Sequence, residues 1–131
     1  MTPSPRKTVL ILDDSPLVLD MASAALEDAG FAVLAAHTLQ ELEEMRVSGN
    51  PDLILLDVQM PEAFGDDVGA VLRAVRDVTV PIVLFSNVGD RELLQRVREA
   101  GIDGFISKRA GLGELVTRVR ALLAPDPEVH T

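Results

Sequence analysis

The stretch Val9-Leu10-Ile11-Leu12-Asp13-Asp14-Ser15-Pro16 decides the fold. Four aliphatic residues in a row, without the alternation of a half-exposed sheet, read as a strand buried on both faces. Ser15 before Pro16 is an N-cap followed by a proline in the first helical turn, so a helix starts directly beyond the acidic pair. The same theme returns along the chain. Short apolar runs at 9–12, 31–35, 53–56, 82–85 and 104–106 alternate with helical patterns, which is the signature of a doubly wound α/β domain with a five-stranded parallel sheet and five helices.

The helices carry their own punctuation. Gly30 ends the first, Thr38 with Glu41 forms a capping box for the second, and the fourth starts near Asp90. Core stripes are expected at Val68, Val71, Leu72 and Val75, at Leu93, Leu94 and Val97, and at Leu112, Leu115, Val116, Val119, Leu122 and Leu123. Pro125-Asp126-Pro127 breaks the last helix. The expected organisation is a tail over 1–7, one folded domain over 8–124 and a tail or linker start over 125–131.

With 131 residues, 47% of them hydrophobic and 25% charged, the chain has the size and composition of one globular domain, and at 3% aromatics its core must be aliphatic. The formal charge of -9 repels phosphate backbones and anionic head groups, so neither nucleic acid nor a membrane surface is an expected direct partner. No cysteine is present, which removes disulfides, thiolate metal sites and cysteine nucleophiles and suits a reducing cytosol. The apolar run after Lys7 is too short for a signal peptide or a membrane span.

Ligands of such sheets bind beyond the carboxyl ends of the strands. There the chain places Asp13 and Asp14, Asp57, Ser86 and, one residue past Ser107, Lys108. Each alone also reads as a cap, a turn residue or a solvated charge. Gathered at one edge, three carboxylates repel one another and call for a cation beyond one lysine. Their all-oxygen character suits Mg2+, whereas the two histidines, His37 and His130, fall elsewhere and read as surface residues. A carboxylate beside a hard cation can act as a nucleophile towards phosphorus, with lysine and hydroxyl groups serving the phosphoryl oxygens.

This set resembles the receiver domain of two-component response regulators from about residue 9 to residue 123, with Met60-Pro61, Gly65, Ala100-Gly101 and Gly104-Phe105 adding to the match. The resemblance implies the flavodoxin-like strand order 2-1-3-4-5 and cytoplasmic signalling. It implies that Asp57 takes a phosphoryl group from a histidine kinase or phosphotransfer protein. Asp14, Asp57 and the Gln59 carbonyl would bind Mg2+, with Asp13 acting mainly through water. Lys108 would pair with the phosphoryl group, Ser86 would hydrogen-bond it, Phe105 would follow inward, and the face made by the fourth helix, fifth strand and fifth helix would bind a downstream protein. Gln59 and Val88 would tune hydrolysis of the acyl phosphate.

Three positions depart from the family pattern. Arg109 stands where proline is usual, so a trans bond and a differently shaped loop are expected, with Arg109 facing solvent. Ser86 replaces a frequent threonine, and Phe105 a frequent tyrosine. Two rivals are weighed. One is a Mg2+-dependent aspartyl-phosphate phosphohydrolase, disfavoured by Gln59 where an acid-base aspartate would stand. The other is a receiver-like interaction module that works without phosphorylation, disfavoured because every charged site position is filled. With no output domain after the fifth helix, the chain is expected to signal through another protein or to be a piece of a longer one.

Overall fold

The computed structural model describes residues 6–124. Five strands, β1 (Thr8–Leu12), β2 (Ala32–Ala36), β3 (Leu53–Leu56), β4 (Ile82–Ser86) and β5 (Gly104–Ser107), alternate with α1 (Pro16–Asp28), α2 (Leu39–Gly49), α3 (Gly65–Ala74), α4 (Asp90–Ala100) and α5 (Leu112–Leu123). A single 3-10 turn, Lys108–Ala110, precedes α5. All strand pairs are parallel, and the sheet order is β2-β1-β3-β4-β5. The order in which strands are added reverses between β1 and β3, the switch point where doubly wound folds place their clefts.

Strand residues alternate between two separate cores. Leu10, Leu12, Ile54, Leu56, Ile82 and Leu84 face α2, α3 and α4. Val9, Ile11, Leu53, Leu55, Val83 and Phe85 face α1 and α5. Burial on both faces explains why these strands are continuously apolar. Among the described residues no helix is long and apolar enough to cross a membrane.

Local chemistry sets the element ends. Ser15 Oγ accepts the Val18 N–H at 3.3 Å, which caps α1. At the other end Gly30, at φ 100°, lets its own N–H reach Glu27 O at 3.0 Å and the Phe31 N–H reach Leu26 O at 3.0 Å. That is a Schellman cap, and it uses Phe31 to close the helix, so β2 starts at Ala32 and runs on to Ala36. Thr38 Oγ1 accepts the Glu41 N–H at 3.1 Å as expected. The Glu41 carboxylate instead takes the N–H of His37, at 2.7 Å, one residue earlier than a reciprocal capping box requires. That bond, with the nearby imidazole, holds the Glu41 carboxyl below its ordinary value.

Two expected core stripes are corrected. In α3 the sheet side is Gly65, Gly69 and Leu72, with Val68 half-buried, while Val71 and Val75 are 49% and 66% exposed. The cause lies at Gly69, where a Cβ would stand 3.2 Å from Ile102 Cγ2 and 3.3 Å from Ile82 Cγ2. The helix approaches the sheet along its glycines, which turns the valines outward. In α4 Leu93 and Val97 are buried but Leu94 is 41% exposed, because α4 covers the sheet near its edge strand, where one apolar row suffices. The final helix follows expectation, with Leu115 and Val119 buried and Leu112, Val116, Leu122 and Leu123 packed beside them. The Pro125-Asp126-Pro127 break and His130 lie outside the described residues.

Candidate functional site

Register alone brings the acids together. Leu12 pairs with Leu56, and Leu56 with Leu84, so Asp13 and Asp57 come next on neighbouring strands. The ladder continues one residue past the strand ends: the Asp57 N–H donates to Leu12 O at 3.0 Å, and the Asp13 N–H donates to Ala36 O at 3.1 Å. Both backbones are therefore fixed where their side chains emerge. Across β4 and β5, Ser86 pairs with Ser107, and Lys108 follows on the 3-10 turn. An open cleft of about 380 Å³ is lined by Asp13, Asp14, Asp57, Gln59, Ser86 and Lys108, joined by Ser15, Val18 and Asn87.

The sequence-selected residues thus share one site. Asp13, Asp57 and Ser86 are buried, whereas Asp14 and Gln59 are exposed. One carboxylate oxygen from each of Asp13, Asp14 and Asp57 lies within 4.8 Å of the others. Lys108 Nζ donates to Asp13 Oδ2 at 2.5 Å and stands 3.4 Å from Asp57 Oδ2. Asp13 Oδ1 accepts the Ser15 N–H at 2.9 Å. Both oxygens of Asp13 thus have protein donors, and Asp14 presents its carboxylate to solvent. The Lys108 ammonium also lies 5.6 Å from the Phe85 ring centroid, a cation–π distance.

Charge is not balanced inside this cleft. Burial pushes the Asp57 carboxyl above its ordinary value, and Asp13 adds to the rise. Lys108, the Gln59 N–H at 3.4 Å from Asp57 Oδ1 and the Ser86 hydroxyl pull the other way without winning. Three carboxylates facing one lysine form a hard, oxygen-only donor set, which fits a divalent cation of the Mg2+ type.

Val88 is half-buried against the α2–α4 core, and its N–H donates to Ser86 Oγ at 3.4 Å. Phe105 is half-buried against the same core, and its carbonyl accepts from Arg118 at 3.2 Å. Arg109 is exposed, no cis peptide bond is present among the described residues, and the Arg109 N–H donates to Ser107 Oγ at 3.2 Å. His37 is exposed, away from the cleft.

Sequence reasoning missed Asn87 in the cleft wall, although its place directly after Ser86 was a usable signal. It also missed how the loop after Asp57 is held. Gly65 donates its N–H to Val58 O at 3.0 Å, and a Cβ there would stand 2.7 Å from the Asp57 carbonyl carbon. The next residue, Asp66, pairs with Arg96 of α4 at 3.0 Å, and Arg96 also binds Glu92 at 2.9 Å and lies 5.2 Å over the Phe64 ring. The end of the loop after Asp57 and the first turn of α3 are thereby fastened to α4, and the thirty-residue gap from Asp66 to Arg96 leaves no local sequence signal for it.

A 2-1-3-4-5 doubly wound sheet with an acidic, lysine-bearing cleft at its switch point defines a flavodoxin-like protein. Residues 9–120 match the response regulator receiver domain family, and the chain belongs to it: it is a receiver domain of two-component response regulators. It is 36% identical over 120 residues to the phosphate regulon transcriptional regulatory protein PhoB of Pseudomonas aeruginosa, covering 89% of this chain and 52% of that protein. To the DNA-binding response regulator MtrA of Mycolicibacterium smegmatis it is 38% identical over 122 residues, covering 90% and 51%. The chain spans about half the length of the curated relatives it matches. Among solved structures, the chemotaxis response regulator CheY4 of Vibrio cholerae superimposes with a TM-score of 0.81 at 26% identity, over 91% of this chain and all of the other.

Proposed function

We propose that this receiver domain is a Mg2+-dependent switch in which Asp57 accepts a phosphoryl group from a phosphohistidine of a histidine kinase or phosphotransfer protein. In that step an Asp57 carboxylate oxygen forms the bond to phosphorus. The phosphorus–nitrogen bond of the donor breaks, and its electron pair returns to the imidazole, which takes a proton from solvent. Asp13, Asp14, Asp57 and the Gln59 carbonyl are the groups that would hold Mg2+, whose charge offsets that of the carboxylates and the incoming phosphoryl oxygens.

The chain's own residues perform the rest. Lys108, close to both Asp13 and Asp57, needs only a small movement to reach a phosphoryl oxygen on Asp57. The Ser86 hydroxyl donates to another such oxygen, which draws in the loop before α4 and makes room for Phe105 to follow. The surface of α4, β5 and α5 then differs between the two states and carries the signal to a downstream protein, with exposed Arg109 at its border. On this reading the folding unit is 8–124, the setting is cytoplasmic, and the domain is a phosphoacceptor and not an enzyme with turnover.

The observation that supports this reading most is the convergence of three carboxylates and one lysine on a single cleft at the switch point. Its test is intact-protein mass after incubation with a small acyl-phosphate donor, with Mg2+ or with chelator. One phosphoryl adduct is expected with Mg2+ only, and none in Asp57→Asn. An adduct that forms equally in chelator, or that persists in Asp57→Asn, overturns the assignment.

A further inference from the structure

The segment between Asp57 and α3 folds back on itself. Gln59 and Phe64 face each other as an isolated antiparallel pair, and just beyond it the Gly65 N–H donates to Val58 O at 3.0 Å. Where the hydrogen bond lies beside a facing pair in this way, the N–H and C=O of the paired residues turn away from each other. The Gln59 N–H accordingly meets Asp57 Oδ1, at 3.4 Å. The backbone of Gln59 is thus placed against Phe64 on one side and directed at the acceptor on the other.

Phe64 itself is 52% exposed. Over its ring lies Arg96 of α4, with the guanidinium 5.2 Å from the centroid. A guanidinium is planar and weakly hydrated, so it stacks on an aromatic face and still donates from its edge. That edge is in use: Arg96 donates to Asp66 Oδ1 at 3.0 Å and to Glu92 Oε2 at 2.9 Å. Glu92 stands one turn earlier on α4, so it fixes the guanidinium on its own helix while Phe64 and Asp66 receive it from across the gap. Phe64 and Asp66 flank Gly65, where the chain runs too close to Asp57 for a Cβ.

Other tethers of this loop act elsewhere. The Glu62 carboxylate accepts the Leu39 N–H at 3.1 Å, so α2 holds the outer turn, while Arg96 bears on the pair at the base. Arg91 and Arg98, also on α4, are exposed and form no ion pair among the described residues.

We propose that Arg96 is a positioning residue for the metal site: by clamping Phe64 and Asp66 it holds the Gln59 carbonyl ready for Mg2+. This rests on the reading of Asp13, Asp14, Asp57 and the Gln59 carbonyl as the groups that hold the ion. Mg2+ tolerates little departure from octahedral geometry, so a carbonyl fixed beforehand binds it without further ordering of the loop. The coupling is reciprocal. If Arg96 tightens Mg2+ binding by some factor, Mg2+ steadies the Arg96 contacts by the same factor.

Titration calorimetry of the full chain with Mg2+, without phosphoryl donor, tests this. Arg96→Gln should weaken binding about fivefold, the combined scale of one cation–π contact and one half-buried ion pair. Charge alone predicts the opposite sign, since removing one cation favours another nearby. Arg98→Gln removes the same charge from the same helix without touching Phe64, and should leave binding unchanged or slightly tighter. Phe64→Leu should also weaken it, and combined with Arg96→Gln by less than the product of the separate factors. Arg96→Lys keeps a cation over the ring and a donor for Asp66, and should return to within about twofold of the parent. By reciprocity Mg2+ should slow amide exchange along α4 in the parent and not in Arg96→Gln, a difference that a merely structural role would not produce. Circular dichroism establishes folding, and Phe64→Leu with Arg96→Lys keeps the test valid if Arg96→Gln loses stability. If Asp14→Ala weakens Mg2+ binding but Arg96→Gln does not, or Arg98→Gln weakens it equally, the role of Arg96 is overturned and the metal site stands. A parent that binds no Mg2+, or binds it regardless of Asp14→Ala, overturns both.

Discussion

Replacing Gly65 with alanine puts one methyl group where the acceptor strand and α3 touch. The added Cβ would stand 2.7 Å from the Asp57 carbonyl carbon and 3.3 Å from Val58 Cα, while carbon–carbon contact is comfortable only from about 3.5 Å. Every clashing atom is backbone, so no side chain can rotate away. The first turn of α3 must lift, and the Gly65 N–H to Val58 O bond lengthens from 3.0 Å. Overpacking of this kind costs about 1–3 kcal/mol, and the weakened hydrogen bond adds about 1 kcal/mol. Alanine's better helix propensity returns at most about 1 kcal/mol, so a net loss of roughly 2 kcal/mol is expected. Urea unfolding should show a midpoint lowered by about 1 M, given slopes of about 2 kcal/mol/M. Transfer from a small donor to Asp57 should slow as its carbonyl is displaced. The control is Gly113→Ala, where a Cβ meets nothing within 4 Å, and which should be neutral or stabilising by up to about 1 kcal/mol. If Gly65→Ala matches the parent to within about 0.5 kcal/mol, the close packing of α3 on the acceptor strand is refuted.

Three other outcomes are expected. Because burial raises the Asp57 carboxyl, the native state holds this proton more tightly than the unfolded chain, so the contribution of this group to stability is full below the ordinary carboxyl range and is lost as pH rises through the raised value. Asp57→Asn removes that descending leg, so its melting temperature in chelator at pH 7 should exceed the parent's, and parallel melting-versus-pH curves for the two proteins would contradict this. Arg96→Gln loses the ties to Asp66 and Glu92 and the contact with Phe64, and amide exchange along α4 should quicken by about tenfold; unchanged exchange there would mean the acceptor loop is not fastened to α4. Val88 packs against the core two residues past Ser86 and donates its N–H to Ser86 Oγ, so Val88→Glu, which brings a carboxylate beside that hydroxyl, should shorten the lifetime of phosphorylated Asp57, followed as decay of the adduct mass, and a lifetime equal to or longer than the parent's would remove Val88 as a tuning residue.

Much of this architecture was legible because parallel strands buried on both faces leave an unbroken aliphatic signal, and β3 falls on the expected residues 53–56. The pairing order was not in that signal and came from family resemblance. Misplaced boundaries have local causes, such as Phe31 closing a Schellman cap, and Ser86 and Ser107 completing pairs one residue beyond the apolar runs. The outward turn of Val71 and Val75 was hidden because periodicity weighs apolar residues and ignores Gly69, the residue that controls how closely α3 approaches. At the site, polar residues ending apolar strands could be read directly, since register does the rest. The resting position of Lys108 on Asp13, and the Arg96 tie to the acceptor loop, join residues far apart in sequence and needed three dimensions.

The sheet sorts its side chains so strictly that the two cores have no residue in common. A substitution beneath α1 and α5, at Leu26 or Val119 for instance, therefore changes the packing of one compartment and leaves the other's atoms in place. Phe105, which the proposed mechanism moves, packs on the opposite side, where Val88, Leu93 and Val97 lie. Buried positions of the α1–α5 compartment can thus be redesigned for thermal tolerance without touching the side chains packed around Phe105. The α2–α4 compartment has no such licence: each change there alters at once how firmly the molecule holds its shape and how readily it changes it.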